Sequence, residues 1–321
     1  MFMSGYKIPA RLDQFTNPNI YLRVRRPSDG IPVQGAVLFV HGATIASSLF
    51  DLPIKGYSLL DACASQGWWA FAIDLRGYGN STKPAAMDLP PLTCPVQCTG
   101  DDAIANVDSA ISHIQNQYGI KKIALVGGSW GSLICARYSA VKPANISRLA
   151  LLAPLYASVN MGWLRALSDP AYPSKINPQL GGYRYVSKAD LLSRWDPEIP
   201  DTEKSVRRPP SVLAALLEAE FAADQQSPID GTFRVPNGTL HELFEVFSGR
   251  PIYKPEEIAC PTLLVRGADD QTSTHQDCQK LIAALRTPSK TLQTIAGAGH
   301  FMQVEHQAPT VQRILLEFLR S

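Results

Sequence analysis

The stretch "KKIALVGGSWGSLICARYSA", residues 121–140, runs from an apolar strand through a glycine-bracketed serine into a helix of small residues. Gly127, Gly128 and Gly131 crowd Ser129 at the point where the chain reverses direction. A serine hydroxyl is too weak an acid to attack a carbonyl unaided. As a nucleophile it needs a base, a carboxylate to orient that base, and donors for the developing oxyanion. The spacing G-x-S-x-G alone arises in roughly one chain in ten of this length at average glycine usage, so partners must be found elsewhere. "PTLLVRGADDQTS" places Asp269 and Asp270 just past a predicted strand, and "IAGAGHFMQVEHQ" places His300 just past another. All three positions fall at the carboxyl ends of predicted strands, the edge where side chains of an open parallel sheet converge on one crevice.

The elements that must position these residues are legible as alternating strand and helix patterns, the signature of a mostly parallel sheet with crossover helices. "NIYLRVRRP" alternates like an edge strand, while "GAVLFVHG" and "WWAFAID" are continuous apolar runs. "DDAIANVDSAISHIQNQYG" sets Ile104, Val107, Ile111 and Ile114 on one helical face, with acidic residues at its start and Gly119 at its close. "KIALVG", the helix after Ser129 and "ISRLALLAP" continue the series. From residue 157 proline and aromatics thicken and the helices turn short. Ser187 with Asp190, Ser211 after two prolines, and Thr239 with Glu242 as a capping box each mark a helix start. Strand patterns resume at 261–267 and 289–297, and a final helix carries Val311, Ile314, Leu315, Phe318 and Leu319 on one face. The expected organisation is an α/β core of residues 1–156 and 258–321, with helices on both faces of the sheet, and an inserted helical cap of residues 157–257.

Bulk composition excludes several function classes. The chain has 321 residues, 45% of them hydrophobic, and a formal net charge of only +2, so no basic stripe points to nucleic acid. The first residues lack the apolar run of a signal peptide, and no stretch approaches the ~18 apolar residues of a spanning helix. A soluble, cytoplasmic protein without membrane contact is the expectation, with a homodimer left open. Six cysteines in a chain of this length are no disulfide framework. Cys63, Cys135, Cys260 and Cys278 read as buried thiols, and Cys94 and Cys98 lack the second Cys or His pair that a metal would need. No metal and no cofactor is expected.

The sequence resembles the α/β-hydrolase superfamily from about residue 20 to the end. "VHGAT" (40–44) is similar to its oxyanion loop, "DLRGYGNS" (74–81) to the turn that follows, and "GAGHF" (297–301) to its histidine loop. The chain order Ser, Asp, His is that of the superfamily. "RPIYKPEEIACPTLLVRGADD" reads like the cap exit and acid strand of many small esterase-like hydrolases. "GGSWGS" is similar to the elbow of the proline iminopeptidase branch, but that branch carries HGGPG where this chain has His41-Gly42-Ala43-Thr44-Ile45. The resemblance implies Ser129 as nucleophile, His300 as base, and Asp269 or Asp270 as the acid, with the family spacing G-x-x-D from Gly267 favouring Asp270. It also implies an oxyanion hole made by the backbone N–H groups of Ala43 and Trp130.

The activity so expected is cofactor-independent hydrolysis of a small, uncharged, largely apolar carboxylic ester or lactone through an acyl-enzyme. An aminopeptidase would need cap carboxylates for the substrate amine, for which Asp196, Glu218, Glu220 and Asp224 are available. A C–C bond hydrolase would use the same triad, and a non-catalytic ligand-binding protein would keep it without turnover. Among the other residues, His41 reads as a brace for its own loop, and His113, His241 and His275 as ordinary helix residues. His306 reads as surface, Arg76 as holding its own turn, and the Trp130 side chain as packing. Thr44 either lines the pocket or ends a turn. Some of Trp163, Tyr183, Tyr185, Trp195, Phe221, Phe244 and Phe247 are expected to roof an apolar pocket.

Overall fold

The computed structural model describes residues 4–9 and 19–321. Ten strands are found among them: β1 (Ser4–Pro9), β2 (Asn19–Arg25), β3 (Gly35–Val40), β4 (Trp68–Asp74), β5 (Ile123–Gly128), β6 (Ile146–Leu152), β7 (Tyr183–Ser187), β8 (Thr232–Pro236), β9 (Thr262–Gly267) and β10 (Lys290–Ile295). Eight form one sheet in the order β1-β2-β4-β3-β5-β6-β9-β10, and β7 pairs with β8 apart from it. From β4 to β10 every pairing is parallel, whereas β1 and β2 join antiparallel. β2 is therefore not the edge strand that its alternation suggests. The short β1 pairs outside it, from Ser4 opposite Val24 to Pro9 opposite Asn19.

The helices are α1 (Leu59–Ala64), α2 (Gly100–Tyr118), α3 (Trp130–Val141), α4 (Met161–Leu167), α5 (Lys188–Trp195), α6 (Pro210–Ala223), α7 (Gly238–Phe247), α8 (His275–Ala284) and α9 (Ala308–Arg320). They cover both faces of the sheet, so the central strands are buried on both sides and read as unbroken apolar runs. On one face Val107, Ile111 and Leu133 of α2 and α3 meet Leu38, Phe71, Leu125 and Leu151. On the other, Leu60 of α1 with Val311 and Leu315 of α9 meets Val37, Ala72, Val126 and Val265. The odd and even positions of each strand thus feed separate cores. α2 begins in a capping box of Thr99 and Asp102 and ends at Gly119, whose φ of 68° is the left-handed value that favours glycine.

The segment 157–257, between β6 and β9, carries α4 to α7 together with the antiparallel β7–β8 pair, and so is not purely helical. Ser187 and Asp190 form their capping box at α5. Two other helix starts differ from the sequence reading. Pro210, not Ser211, opens α6, as suits a residue with no N–H to leave unpaired. At α7 no capping box forms: the N-cap is Asn237, and the Glu242 carboxylate instead accepts from the Trp130 indole at 2.7 Å. A third cluster, in which Leu191, Trp195 and Leu216 pack on Ile45, Leu49, Phe301 and Val304, fastens this segment to the sheet domain.

Candidate active site

The turn from β5 to α3 forces Ser129 to φ 53° and ψ −123°, a region that a residue with a Cβ enters only at a cost. Its neighbours explain how the turn is tolerated. A Cβ on Gly131 would collide with the carbonyl oxygens of Val40 and His41, and one on Gly127 with the carbonyl of Gly131. Only glycines let α3 and β3 close this tightly. The Ser129 N–H donates to Leu152 O at 2.8 Å, which pins the elbow to β6. Its side chain is left at the N-terminus of α3, where the peptide dipoles favour negative charge.

His300 reaches the serine from the loop after β10. Nε2 lies 2.8 Å from Ser129 Oγ, and Nδ1 lies 2.9 Å from Asp270 Oδ2. Asp270, in the turn after β9, accepts the Thr272 and Ser273 N–H groups on its other oxygen, both at 2.8 Å. Arg266 holds that turn by donating to Ser273 O and Asp270 O. Because the aspartate binds Nδ1–H, Nε2 is left as the acceptor of the serine proton. Burial pulls the His300 pKa down, but the charge and hydrogen bond of Asp270 outweigh it and hold the group above its ordinary 6.5. Asp269 points elsewhere and pairs with Arg207.

The loop after β3 lies against the serine, since a Cβ on Gly42 would stand 3.0 Å from Ser129 Cβ. Neither the Ala43 nor the Trp130 N–H donates to a protein acceptor among the described residues. His41 braces this loop. Its Nδ1 donates to Gly42 O at 2.8 Å and its Nε2 accepts the Leu75 N–H at 3.1 Å, so the ring is neutral, as burial also dictates. The Trp130 side chain is fully buried packing. Thr44 lines the pocket and its hydroxyl accepts from Arg184 at 3.1 Å.

Above these residues is a cavity of about 240 Å³, walled mainly by apolar side chains including Ile45, Leu191, Leu240 and Leu243. Of the seven aromatic residues weighed for its roof, only Trp163 lines it. Trp195 is buried against Ile45, Leu49 and Phe301, Phe244 and Phe247 join the core on the α2 and α3 face of the sheet, and Tyr183 and Tyr185 join a small cluster near Met87. The four carboxylates considered for an amine are also elsewhere. Asp196 pairs with Arg208, Glu220 accepts from Ser48 Oγ at 2.7 Å, Asp224 pairs with Arg234 at 2.9 Å, and Glu218 is exposed. None of the four lines the cavity.

Three residues of segment 157–257 that sequence reasoning missed stand at this site. Glu198, just after α5, accepts the His300 N–H at 2.6 Å and the Gln271 N–H at 3.2 Å, tying the histidine loop to the acid turn. Burial raises its pKa, against the pull of His300 and those two donors. Arg184 donates to Ala43 O at 2.8 Å, and Arg194 lines the cavity beside it. Nothing local in the sequence marks them: Glu198 and Arg184 act through contacts with distant loops, and Arg194 through its place over Trp163 in the cavity wall.

Other positions fall as follows. Tyr6 Oη lies 3.0 Å from His113 Nε2, His241 sits in α7, His275 opens α8, and His306 is exposed. The Arg76 N–H donates to Asn106 Oδ1, but its buried side-chain Nε finds no partner, so the side chain does not brace the turn through that atom. All six cysteines are free thiols, and Cys260 is half-buried rather than buried. Among the described residues no cluster of His, Cys, Asp and Glu could hold a metal ion, and no helix is long and apolar enough to cross a membrane.

A family model described as the alpha/beta hydrolase fold matches residues 35–307. "Probable lysophospholipase BODYGUARD 1" of Arabidopsis thaliana is 28% identical over 151 residues, 46% of this chain and 28% of that protein. The match thus spans less than a third of that relative's length. Among solved structures, E-2-(acetamidomethylene)succinate hydrolase superposes over all of both chains with a TM-score of 0.65 at 17% identity. An esterase from Thermogutta terrifontis gives 0.62 at 18% identity, over 99% of this chain and 98% of its own. At such identities the structural likeness is one of fold.

Proposed function

Since the chain belongs to the alpha/beta hydrolase family, we propose that it is a serine hydrolase that cleaves a small carboxylic ester through an acyl-enzyme. The observation that carries this reading is the unbroken chain from Ser129 Oγ to His300 Nε2 and from Nδ1 to Asp270, at the floor of the cavity. Ser129 Oγ attacks the ester carbonyl carbon while its proton passes to His300 Nε2. The tetrahedral adduct collapses, the C–O bond to the alcohol breaks, and His300 returns that proton to the departing oxygen. Water then attacks the acyl-serine with His300 again as base, which releases the acid and restores the serine. The free Ala43 and Trp130 N–H groups are the donors for the oxyanion, each worth about 3–4 kcal/mol of barrier by the cost of removing such donors elsewhere. Segment 157–257 acts as the cap that closes the cavity.

Ester chemistry is favoured over aminopeptidase chemistry because none of the four candidate amine binders lines the cavity, and Asp196, Glu220 and Asp224 are engaged elsewhere. The one carboxylate residue in the wall beside the triad, Asp190, is occupied at the start of α5. The test is a panel of 4-nitrophenyl esters, lactones and proline naphthylamide, run on wild type and Ser129→Ala. Ester turnover should fall by on the order of 10⁴ to 10⁶ in the variant, as triad removals do. A fluorophosphonate should label wild type one to one and the variant not at all. An unlabelled wild type, or a loss below about tenfold, refutes the assignment.

A further inference from the structure

Two guanidinium groups face the cavity that holds Ser129 and His300. Arg184, on β7, is fixed by neutral acceptors: Asn237 Oδ1 at 2.8 Å, Ala43 O at 2.8 Å and Thr44 Oγ1 at 3.1 Å. Arg194, on α5, lies over the Trp163 ring at 4.2 Å from its centroid. None of its N–H groups meets a protein acceptor among the described residues, although it is half-buried. Stacking occupies a face of the guanidinium, whereas all five N–H bonds lie in its plane, so the edge remains open.

Glu198 and Asp270 attract Arg194, and Asp190 attracts Arg184, but none of these acids takes a hydrogen bond from Arg194. Asp190 spends its carboxylate on the Ser187 N–H and hydroxyl, at 2.8 and 2.6 Å. Asp270 is committed to His300 and two main-chain donors, and Glu198 to the His300 and Gln271 N–H groups. Burial pushes Arg194 down to about 10, against the pull of Glu198, so it stays charged at neutral pH. A half-buried guanidinium with unmatched donors lacks part of its usual hydrogen bonding, and the two arginines repel each other across the same space. A carboxylate at the open edge of Arg194 would pair those donors.

We propose that Arg194 anchors a carboxylate of the substrate, so that the natural ester carries an acid group as well as the bond that is cut. The apolar walls from Val186, Leu191, Leu240 and Leu243 then house the methylenes between the two. This rests on the serine-hydrolase reading and replaces the uncharged substrate expected from composition. The carboxylate sits either on the acyl part, as in a half-ester of a short dicarboxylic acid, or on the departing alcohol.

Two matched pairs of esters separate these cases. Mono-4-nitrophenyl glutarate against 4-nitrophenyl pentanoate tests the acyl side, and 4-(pentanoyloxy)benzoate against 4-acetylphenyl pentanoate tests the alcohol side. The readout is the kcat/KM ratio of acid to neutral ester within each enzyme, which cancels any general loss from altered packing. Wild type should favour the acid by at least tenfold in one pair. Arg194→Met should cut that ratio ten- to hundredfold, the usual cost of a lost charge-assisted hydrogen bond. Arg194→Lys should keep part of it, and serves alone if the methionine variant does not fold. A ratio at or below one in both pairs, or one unmoved by either variant, overturns the proposal while ester hydrolysis stands. Calorimetry of monomethyl glutarate on Ser129→Ala, with and without Arg194→Met, reads the anchor without turnover. Where the alcohol pair shows the preference, 4-(pentanoyloxy)benzoate takes its place; binding of the probe for the preferred side should weaken at least tenfold with the second change, and absence of binding by that probe also overturns the proposal. Failure of the hydrolase reading shows separately, as an unlabelled Ser129.

Discussion

Replacing Asp270 by asparagine tests the orientation of the base. One carboxylate oxygen takes two main-chain N–H groups at 2.8 Å, and the other takes His300 Nδ1–H at 2.9 Å. An asparagine has only one acceptor oxygen. If that oxygen stays with Thr272 and Ser273, its NH₂ faces Nδ1, which must then accept, and the ring proton moves to Nε2. A histidine protonated there cannot take the proton of Ser129. If the amide flips to keep the useful tautomer, two buried donors lose their acceptor, at about 1–3 kcal/mol each. The wrong tautomer is therefore favoured by about 2–6 kcal/mol, which at about 1.4 kcal/mol per decade lowers kcat/KM roughly 30-fold to 10⁴-fold. The assay is 4-nitrophenyl butyrate hydrolysis at pH 7.5, with the fluorophosphonate labelling rate measured in parallel. Asp269→Asn, whose native partner is Arg207, serves as the neighbour control and should lose less than about threefold. A folded Asp270→Asn enzyme that retains a third or more of its activity would refute this account of the base.

Because Asp270 and Glu198 hold His300 protonated to higher pH than a free histidine, kcat/KM should fall on the acid side with an apparent pKa above 6.5. Glu198→Gln removes one of the charges and leaves one of the His300 and Gln271 N–H groups without its acceptor; activity should fall in part, that limb should move to lower pH, and a shift upward would contradict the electrostatics. Gly131→Ala drives a Cβ into two main-chain carbonyls and should cost about 3 kcal/mol in urea unfolding, with activity falling as the elbow is displaced. An alanine variant of unchanged midpoint would mean that α3 and β3 are less tightly closed.

The elbow, the acid turn and the histidine loop were legible because each is a local pattern: a strand, a turn of small residues and one reactive side chain. The parallel sheet was legible for the same reason, since strands buried on both faces cannot hide among polar residues. β1 escaped because "SGYKIP" has neither an apolar run nor a clear alternation. Thr239 and Glu242 have the spacing of a capping box, yet Glu242 bonds the Trp130 indole, and Asn237 bonds Arg184 and the Leu180 carbonyl. Local spacing was satisfied and tertiary partners took the residues. The same holds for Glu198, Arg184 and Arg194, whose sequence neighbourhoods look like any amphipathic surface. Aromatic content overstated the roof, because most of those rings pack against residues outside segment 157–257, and of the seven only Trp163 reaches the cavity.

Glu198 joins segment 157–257 to the main chain of His300, the proposed base, and Glu305 ties Trp195 to the Gly299 N–H beside it. Loosening this corner would strip buried donors from the histidine loop, so the roof and the base come apart together. Turnover thereby becomes a gauge of local integrity. In mild urea it should fade while the far-ultraviolet dichroism of the sheet is still complete, and return on dilution.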